Sequence, residues 1–324
     1  MIALRDAQVA ARQMAAGGLG MDIPGQKLIS SEKYLVLNIK MKRFLQQLAA
    51  FALIFSFTAC ARSGQITVKG SDTLVILAQK WAETYMGQHP DVKIDVTGGG
   101  SGIGFAALQG QTTDLCDASR QIKPAEKIKC IVAFHKAPTE YKVAMDGLSV
   151  YVNAANPLKE LSLNQLKDIF TGKITNWKDL GGADAPITIY SRENSSGTYE
   201  FFKSAVLKGE DFAATAQTMP GTAAIIQAVG RDQGSIGYGG AAYGAAGVKA
   251  LNVKKDDASP AIEPSEDNVE NQTYPIWRYL YVYVNPALDK DDIAAYLKWI
   301  RSDDGQKIVK DVGYYPLPKE LRSN

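Results

Sequence analysis

An α/β fold is what this 324-residue sequence predicts, on three observations. A β-type run, a glycine- and hydroxyl-bearing turn and an amphipathic helix follow one another three times. Beyond residue 64 strand-like and helix-like periods keep alternating, with no low-complexity tract or repeat. Hydrophobic residues make up 46% of the chain and aromatics 9%, enough to build two modest domains from about 260 residues.

The first unit is ITVK (66–69), then GSDT, then a helix in which Leu74, Leu77, Ala78, Trp81 and Tyr85 share one face. The second is VKIDVT (92–97), the turn GGGSG and a short helix over 103–108; the third is ITIY (187–190), RENSSG and a helix over 198–207. SLNQLKDIF (162–170) reads as an amphipathic helix with Ser162 as N-cap, and AAIIQAVG (223–230) as a helix closed by Gly230. GSIGYGG is a glycine-flanked strand, and the acidic, proline-containing stretch 254–273 a surface loop. WRYLYVYVN (277–285) is a strand and 291–313 mostly helix; the aromatic residues in these periodic runs belong to the core.

From Met41 the sequence MKRFLQQLAAFALIFSFTACARSG has a basic start, an apolar run too short to span a bilayer comfortably, and small residues. Residues 41–60 are therefore expected to be an export signal, and 1–40 a non-native or disordered extension ahead of the true start. Phe57-Thr58-Ala59-Cys60 resembles a lipoprotein cleavage box, with Phe57 where that box usually has Leu. Lipidation at Cys60 is the expectation; cleavage after Ala61 is the competing one. Seven of the 36 basic and three of the 34 acidic residues lie in the first 60, so the remainder carries 29 against 31. That balance leaves no basic footprint for nucleic acid. Cys116 and Cys130, in an oxidising compartment, are expected to pair as a disulfide rather than bind metal, with two separate buried thiols as the alternative.

Three turns carry the chemistry: Gly70-Ser71-Asp72-Thr73, Gly100-Ser101-Gly102 and Ser195-Ser196-Gly197-Thr198. Each hydroxyl could simply cap a helix. Helix N-termini also hold anions, glycine lets backbone N–H groups approach a ligand, and Arg192 adds a planar donor fork. Their combination favours an anion site beyond the carboxyl ends of strands. No phosphate-cradling GxxxxGK[ST] loop and no GxSxG elbow occur, and His89 and His135 sit in polar stretches as surface residues. No catalytic residue, metal or cofactor is expected.

Residues 65–318 resemble the phosphate-binding proteins of bacterial high-affinity phosphate uptake transporters. The likeness is carried by DGLSVYVNAANPLKELSLNQLKDIFTGKITNWKDLGG (146–182), SRENSSGTYEFF, GSIGYGGAAY, YPIWRYLYVYVNP and LKWIRSDDGQKIVKDVGYYPLP. It implies a type II periplasmic binding fold: two α/β lobes, at 65–148 with 279–324 and at 149–278, joined by crossover strands that hinge around the ligand. It also implies a monomer in the periplasm or on the outer membrane face, delivering inorganic phosphate to an ATP-driven permease. Its only membrane contact would be a lipid anchor. By position, the phosphate-holding residues fall on Ser71, Asp72, Thr73 and Ser101, and on Arg192, Ser196, Gly197 and Thr198 opposite. Where some members have Ala-Ser-Asp, whose acid accepts the ligand's proton, this chain has Ala118-Ser119-Arg120. Ser119 and Arg120 are then further donors, and Asp72 is preferred over Asp117 as the acceptor. The rival functions are a carrier of sulfate, molybdate or tungstate, and a phosphate-sensing or adhesive surface protein or hydrolase on the same fold.

Overall fold

The computed structural model describes residues 64–285 and 291–322. The export signal, Cys60 and the 1–40 extension lie outside these residues. The first strand–turn–helix units build a mixed five-stranded sheet. It runs β2 (Val92–Thr97), β1 (Gly64–Gly70), β3 (Leu115–Ala118), β12 (Trp277–Val284) and β4 (Thr139–Gly147). β1 is parallel to β2 and β3, whereas β12 is antiparallel to β3 and β4. Leu77, Trp81 and Tyr85 of α1 (Val75–Gln88) pack with Ile66, Val68 and Ile94 of the sheet and with Tyr296 and Leu297 of α8 (Asp291–Ile300). The indole N–H of Trp81 donates to the carbonyl of Gly305 at 2.8 Å, tying α1 to α9 (Asp303–Val312). The other sheet face is covered by α2 (Ser101–Gln109) and α3 (Pro124–Phe134) through Phe105, Leu108 and Cys130.

The chain leaves this sheet where β4 ends and enters a second one at β5 (Ser149–Asn153). It returns only at β12. The second sheet runs β11 (Ala261–Ile262), β10 (Val248–Lys254), β5, β9 (Ser235–Gly239), β7 (Thr188–Arg192) and β8 (Gln217–Met219), with β6 (Glu160–Ser162) beside β10. Its core is aromatic: Phe202 stacks on Tyr238 with centroids 4.2 Å apart, and Phe170 packs edge-on against Phe202. The buried faces of α4 (Leu163–Phe170) and α5 (Gly197–Ala205) supply Leu166, Ile169, Phe170 and Phe202. Two mixed sheets flanked by helices make this a two-lobed periplasmic-binding-protein fold.

Ser162 caps α4 as expected, its hydroxyl accepting from Gln165 N–H while the Gln165 side chain returns to Ser162 N–H. Two segments differ from expectation. Gly230 lies inside α6 (Thr222–Arg231) instead of closing it, because Asp232 ends the helix in an extended conformation. The stretch 254–273 contains β11 and α7 (Glu266–Glu270), the latter capped by Ser265 and buried through Val269. The stretch 291–313 is mostly helix as expected, divided into α8 and α9, the second capped by Ser302.

Candidate functional site

The three turns meet between the two sheets. β1 ends in the first, β2 leads into the second and β7 into the third, so each hydroxyl cluster sits at a strand's carboxyl end. Capping explains little of it. α1 is capped by Leu74 and α2 by Gly100, neither with a side-chain bond. Only Ser196 caps, its Oγ accepting from Tyr199 N–H at 3.3 Å. The hydroxyls of Thr73, Thr198, Ser119 and Ser101 turn toward one another. Thr73 Oγ1 lies 2.6 Å from Thr198 Oγ1, which lies 3.4 Å from Ser119 Oγ, itself 3.3 Å from Ser101 Oγ. Ser71, Thr73, Ser101, Ser119, Ser196 and Thr198 are all buried, which for hydroxyls demands partners.

Two glycines allow the approach. Gly100, at φ 97°, lies where a Cβ would stand 2.7 Å from the carbonyl oxygen of Ser195, across the gap between sheets. A Cβ on Gly197 would fall 2.3 Å from Ser101 Oγ and 2.7 Å from Ser119 Oγ. The backbones themselves bond across, Gly102 N–H donating to Ser195 O at 2.9 Å.

Arg192, 2% exposed, ends β7 and points into the same place. Its Nη2 donates to Asp72 Oδ2 at 2.7 Å, its Nη1 to Thr222 Oγ1 at 3.1 Å and its Nε to Glu193 at 3.1 Å. Asp72 uses its other oxygen to accept Gly99 N–H at 2.7 Å. The first turn is held from behind: Tyr243 OH donates to Asp72 O and Tyr314 OH to Thr73 O, both at 2.6 Å. Burial, reinforced by the charge of Asp72, pushes the Tyr243 hydroxyl well above its usual range and keeps it a donor.

One expected participant, Arg120, and the alternative acceptor, Asp117, turn elsewhere. The Arg120 guanidinium forms a two-pronged ion pair with Glu126 at 2.7 and 2.8 Å, bonds Gln121 O, and lies over the Phe105 ring. Glu126 is fixed there because it also accepts Lys123 N–H at the start of α3. Asp117 alternates with Cys116 and Ala118 along β3, so its carboxyl faces the α8 side, within electrostatic reach of Tyr296, and not the hydroxyls. Burial raises that carboxyl to about 7. Its backbone carbonyl accepts Ser71 N–H at 2.9 Å and so supports the first turn.

Cys116 and Cys130 are free thiols here, not the expected bridge. Both are buried in one apolar cluster with Phe105 and Tyr283, and Cys116 S–H donates to Asp117 O at 3.7 Å. Desolvation pushes both thiols up, Cys116 strongly, which lowers the thiolate needed for pairing. Among the described residues no group of three or more His, Cys, Asp and Glu could hold a metal ion, and no helix is long and apolar enough to cross a membrane.

Sequence reasoning missed a second buried ion pair. Arg278 of β12 stands directly opposite Asp146 of β4, and its Nε and Nη2 donate to Asp146 Oδ2 at 2.9 and 2.8 Å. Arg278 Nη2 also reaches Thr198 Oγ1 at 3.1 Å. The signal was available: Arg278 shares its strand face with Leu280 and Val282, both buried, and an arginine on a core face needs a partner.

The PBP superfamily domain model matches residues 58–304. A phosphate-binding protein of Pseudomonas aeruginosa is 36% identical over 274 residues, covering 80% of this chain and 85% of that protein. One of Staphylococcus epidermidis is 34% identical over 267 residues, covering 79% and 80%. A Clostridium perfringens phosphate ABC transporter substrate-binding protein, crystallised with bound phosphate, superposes with TM-score 0.72 at 30% identity over 79% of this chain and all of that one. A phosphate transport receptor of Vibrio cholerae gives 0.64 at 28% identity, over 78% of this chain and all of that one. With most of its length matched by the domain model and by relatives above 30% identity, the chain belongs to the PBP superfamily and, within it, to the family of these phosphate-binding proteins.

Proposed function

We propose that this protein binds inorganic phosphate between its two lobes and hands it to the permease of an ABC transporter without turning anything over. One observation supports this reading most: buried hydroxyls from three turns and the Arg192 fork converge on one place from both sheets. Donors so arranged match a tetrahedral oxyanion. The convergent groups include no base-activated nucleophile, which argues against hydrolysis. Ser71, Asp72, Thr73, Ser101, Ser119, Arg192, Ser196, Gly197 and Thr198 make up the grip; Arg120 is engaged elsewhere. Lipidation at Cys60 and a monomeric state complete the reading.

Titration calorimetry with phosphate, sulfate and molybdate on protein beginning near Gly64 tests it. Heat with phosphate is expected. Silence with phosphate and heat with another oxyanion would transfer the site to that anion. Phosphate near neutral pH keeps a proton that sulfate lacks, so phosphate selection needs an acceptor among the donors. Asp72 is that acceptor in this reading, since each of its oxygens takes one donor and keeps a further lone pair. Asp72→Ala should cost phosphate affinity and narrow the gap between phosphate and sulfate. Unchanged affinities in a folded variant would rule Asp72 out.

A further inference from the structure

Arg278 carries a buried charge for which the grip as described has no use, and its contacts are one-sided in a telling way. A guanidinium only donates, and a hydroxyl has one proton and two lone pairs. The 3.1 Å contact from Arg278 Nη2 therefore makes Thr198 Oγ1 an acceptor. The proton of Thr198 must leave in another direction, toward Thr73, Ser119 or a ligand. Arg278 Nη1 meanwhile holds the carbonyl of Ser119 at 2.9 Å. The N–H of that same residue donates to Ser101 Oγ at 3.0 Å, so Ser101 too is fixed as an acceptor from behind.

We infer that Arg278 is a positioning residue of the anion grip, setting the direction in which the Thr198 hydroxyl gives its proton and bracing, through the Ser119 carbonyl, the residue that holds Ser101. This rests on the reading that the grip holds an oxyanion. Asp146 makes the device rigid. Fully buried, it takes two donors of the fork on Oδ2 and Ala241 N–H on Oδ1 at 3.1 Å. The guanidinium also lies over the Phe201 ring, its central carbon 5.2 Å from the centroid. Without such a fixed donor, each hydroxyl in a chain of hydroxyls can point either way, and half of those arrangements aim a lone pair at the anion. Arg278 removes that freedom before the ligand arrives. The contacts of the Arg278–Asp146 pair also span both sheets, because β4 and β12 belong to the first, while Thr198, which Arg278 reaches, and Ala241, whose N–H Asp146 accepts, belong to the segment that carries the second.

A buried pair that merely braces the crossing strands would make a different prediction, and a double-mutant cycle on phosphate affinity separates the two. Replacing both charges, Arg278→Met with Asp146→Leu, avoids leaving one buried charge unpaired. In the purified exported protein this change is expected to weaken phosphate binding by about tenfold to a hundredfold. Thr198→Val should do likewise. Adding the pair change to Thr198→Val should cost no more than about threefold further, because Arg278 acts largely through that hydroxyl. Losses that multiply, or an unchanged affinity in the pair variant, would overturn the inference. If the pair variant does not fold, Arg278→Lys keeps the charge beside Asp146 and removes the fork. It should melt like the parent yet bind more weakly, and parental binding would again overturn it. If the parent protein binds none of phosphate, sulfate or molybdate, both this inference and the functional reading fall. If the parent binds, Arg192→Ala weakens binding and the cycle multiplies, only the role of Arg278 falls.

Discussion

At the scale of single residues, Arg192 and Asp117 make opposite demands on their surroundings. Arg192 is buried with every nitrogen engaged, two of them by acids. Arg192→Ala should weaken phosphate binding by about tenfold to a hundredfold, the worth of a hydrogen bond to a charged group; calorimetry showing an unchanged dissociation constant would remove it from the site. Asp117 is buried with its carboxyl raised from 3.8 to about 7 by desolvation. The folded state keeps its proton after the unfolded chain has lost it, so this contribution is fully present below about 3.8 and lost as pH climbs to about 7. Asp117→Asn should flatten that decline, worth roughly 4 kcal/mol across the window, in denaturant midpoints taken between pH 4.5 and 8. An identical slope in the variant would count against it. Most of the grip was legible residue by residue, because glycine, hydroxyl and arginine side by side at a helix start are a local signal. Arg120 and Arg278 were not. Which way an arginine turns depends on acids outside its own turn or strand, Glu126 in the helix that follows in one case and Asp146 across the strand pair in the other.

Between residue and molecule stand the turns and the helices they start. Gly197 opens α5 at a point where the two sheets' segments come close, and Ser101 Oγ is already pinned there by Ser119 N–H. Gly197→Ala should therefore hold the lobes apart. Phosphate affinity should fall at least tenfold with little change in melting temperature, and the radius of gyration with phosphate should stay larger than the parent's. Parental affinity and compaction in solution scattering would refute this. The same dependence on context explains where element boundaries were misread. The expectation of mostly helix over 291–313 holds, and Ser302, whose hydroxyl accepts Gly305 N–H, marks where a second helix starts within it. Gly230 has the composition of a helix stop, but α6 runs past it to Arg231. α7 is a single short turn whose stability comes from Val269 in the second core and the Ser265 cap, neither visible as a period. The three strand–turn–helix units were legible because their apolar periods and glycine turns agree.

Across the whole molecule, two sheets share one chain that crosses between them at β4–β5 and again before β12, so the grip is assembled only when both lobes are in place. Lys123 and Glu200, 2.8 Å apart, add an exposed tie at the rim, which is worth little by itself. The pairing of Arg192 and Arg278 each with its own carboxylate has a further consequence, for how the protein meets its ligand in solution. Arg192 faces Asp72 and Arg278 faces Asp146, so the interior offers a dianion fixed dipoles but no surplus positive charge. Little long-range field then draws the ligand in, and there is little for dissolved ions to screen. Raising sodium chloride from about 50 to about 500 mM, over which the screening length falls from roughly 14 to roughly 4 Å, should change phosphate affinity by less than about threefold. A steep loss with salt would mean that unpaired positive charge does the capturing. Capture that ignores ionic strength suits a carrier facing outside the cytoplasm, where the medium changes and the cell does not set it.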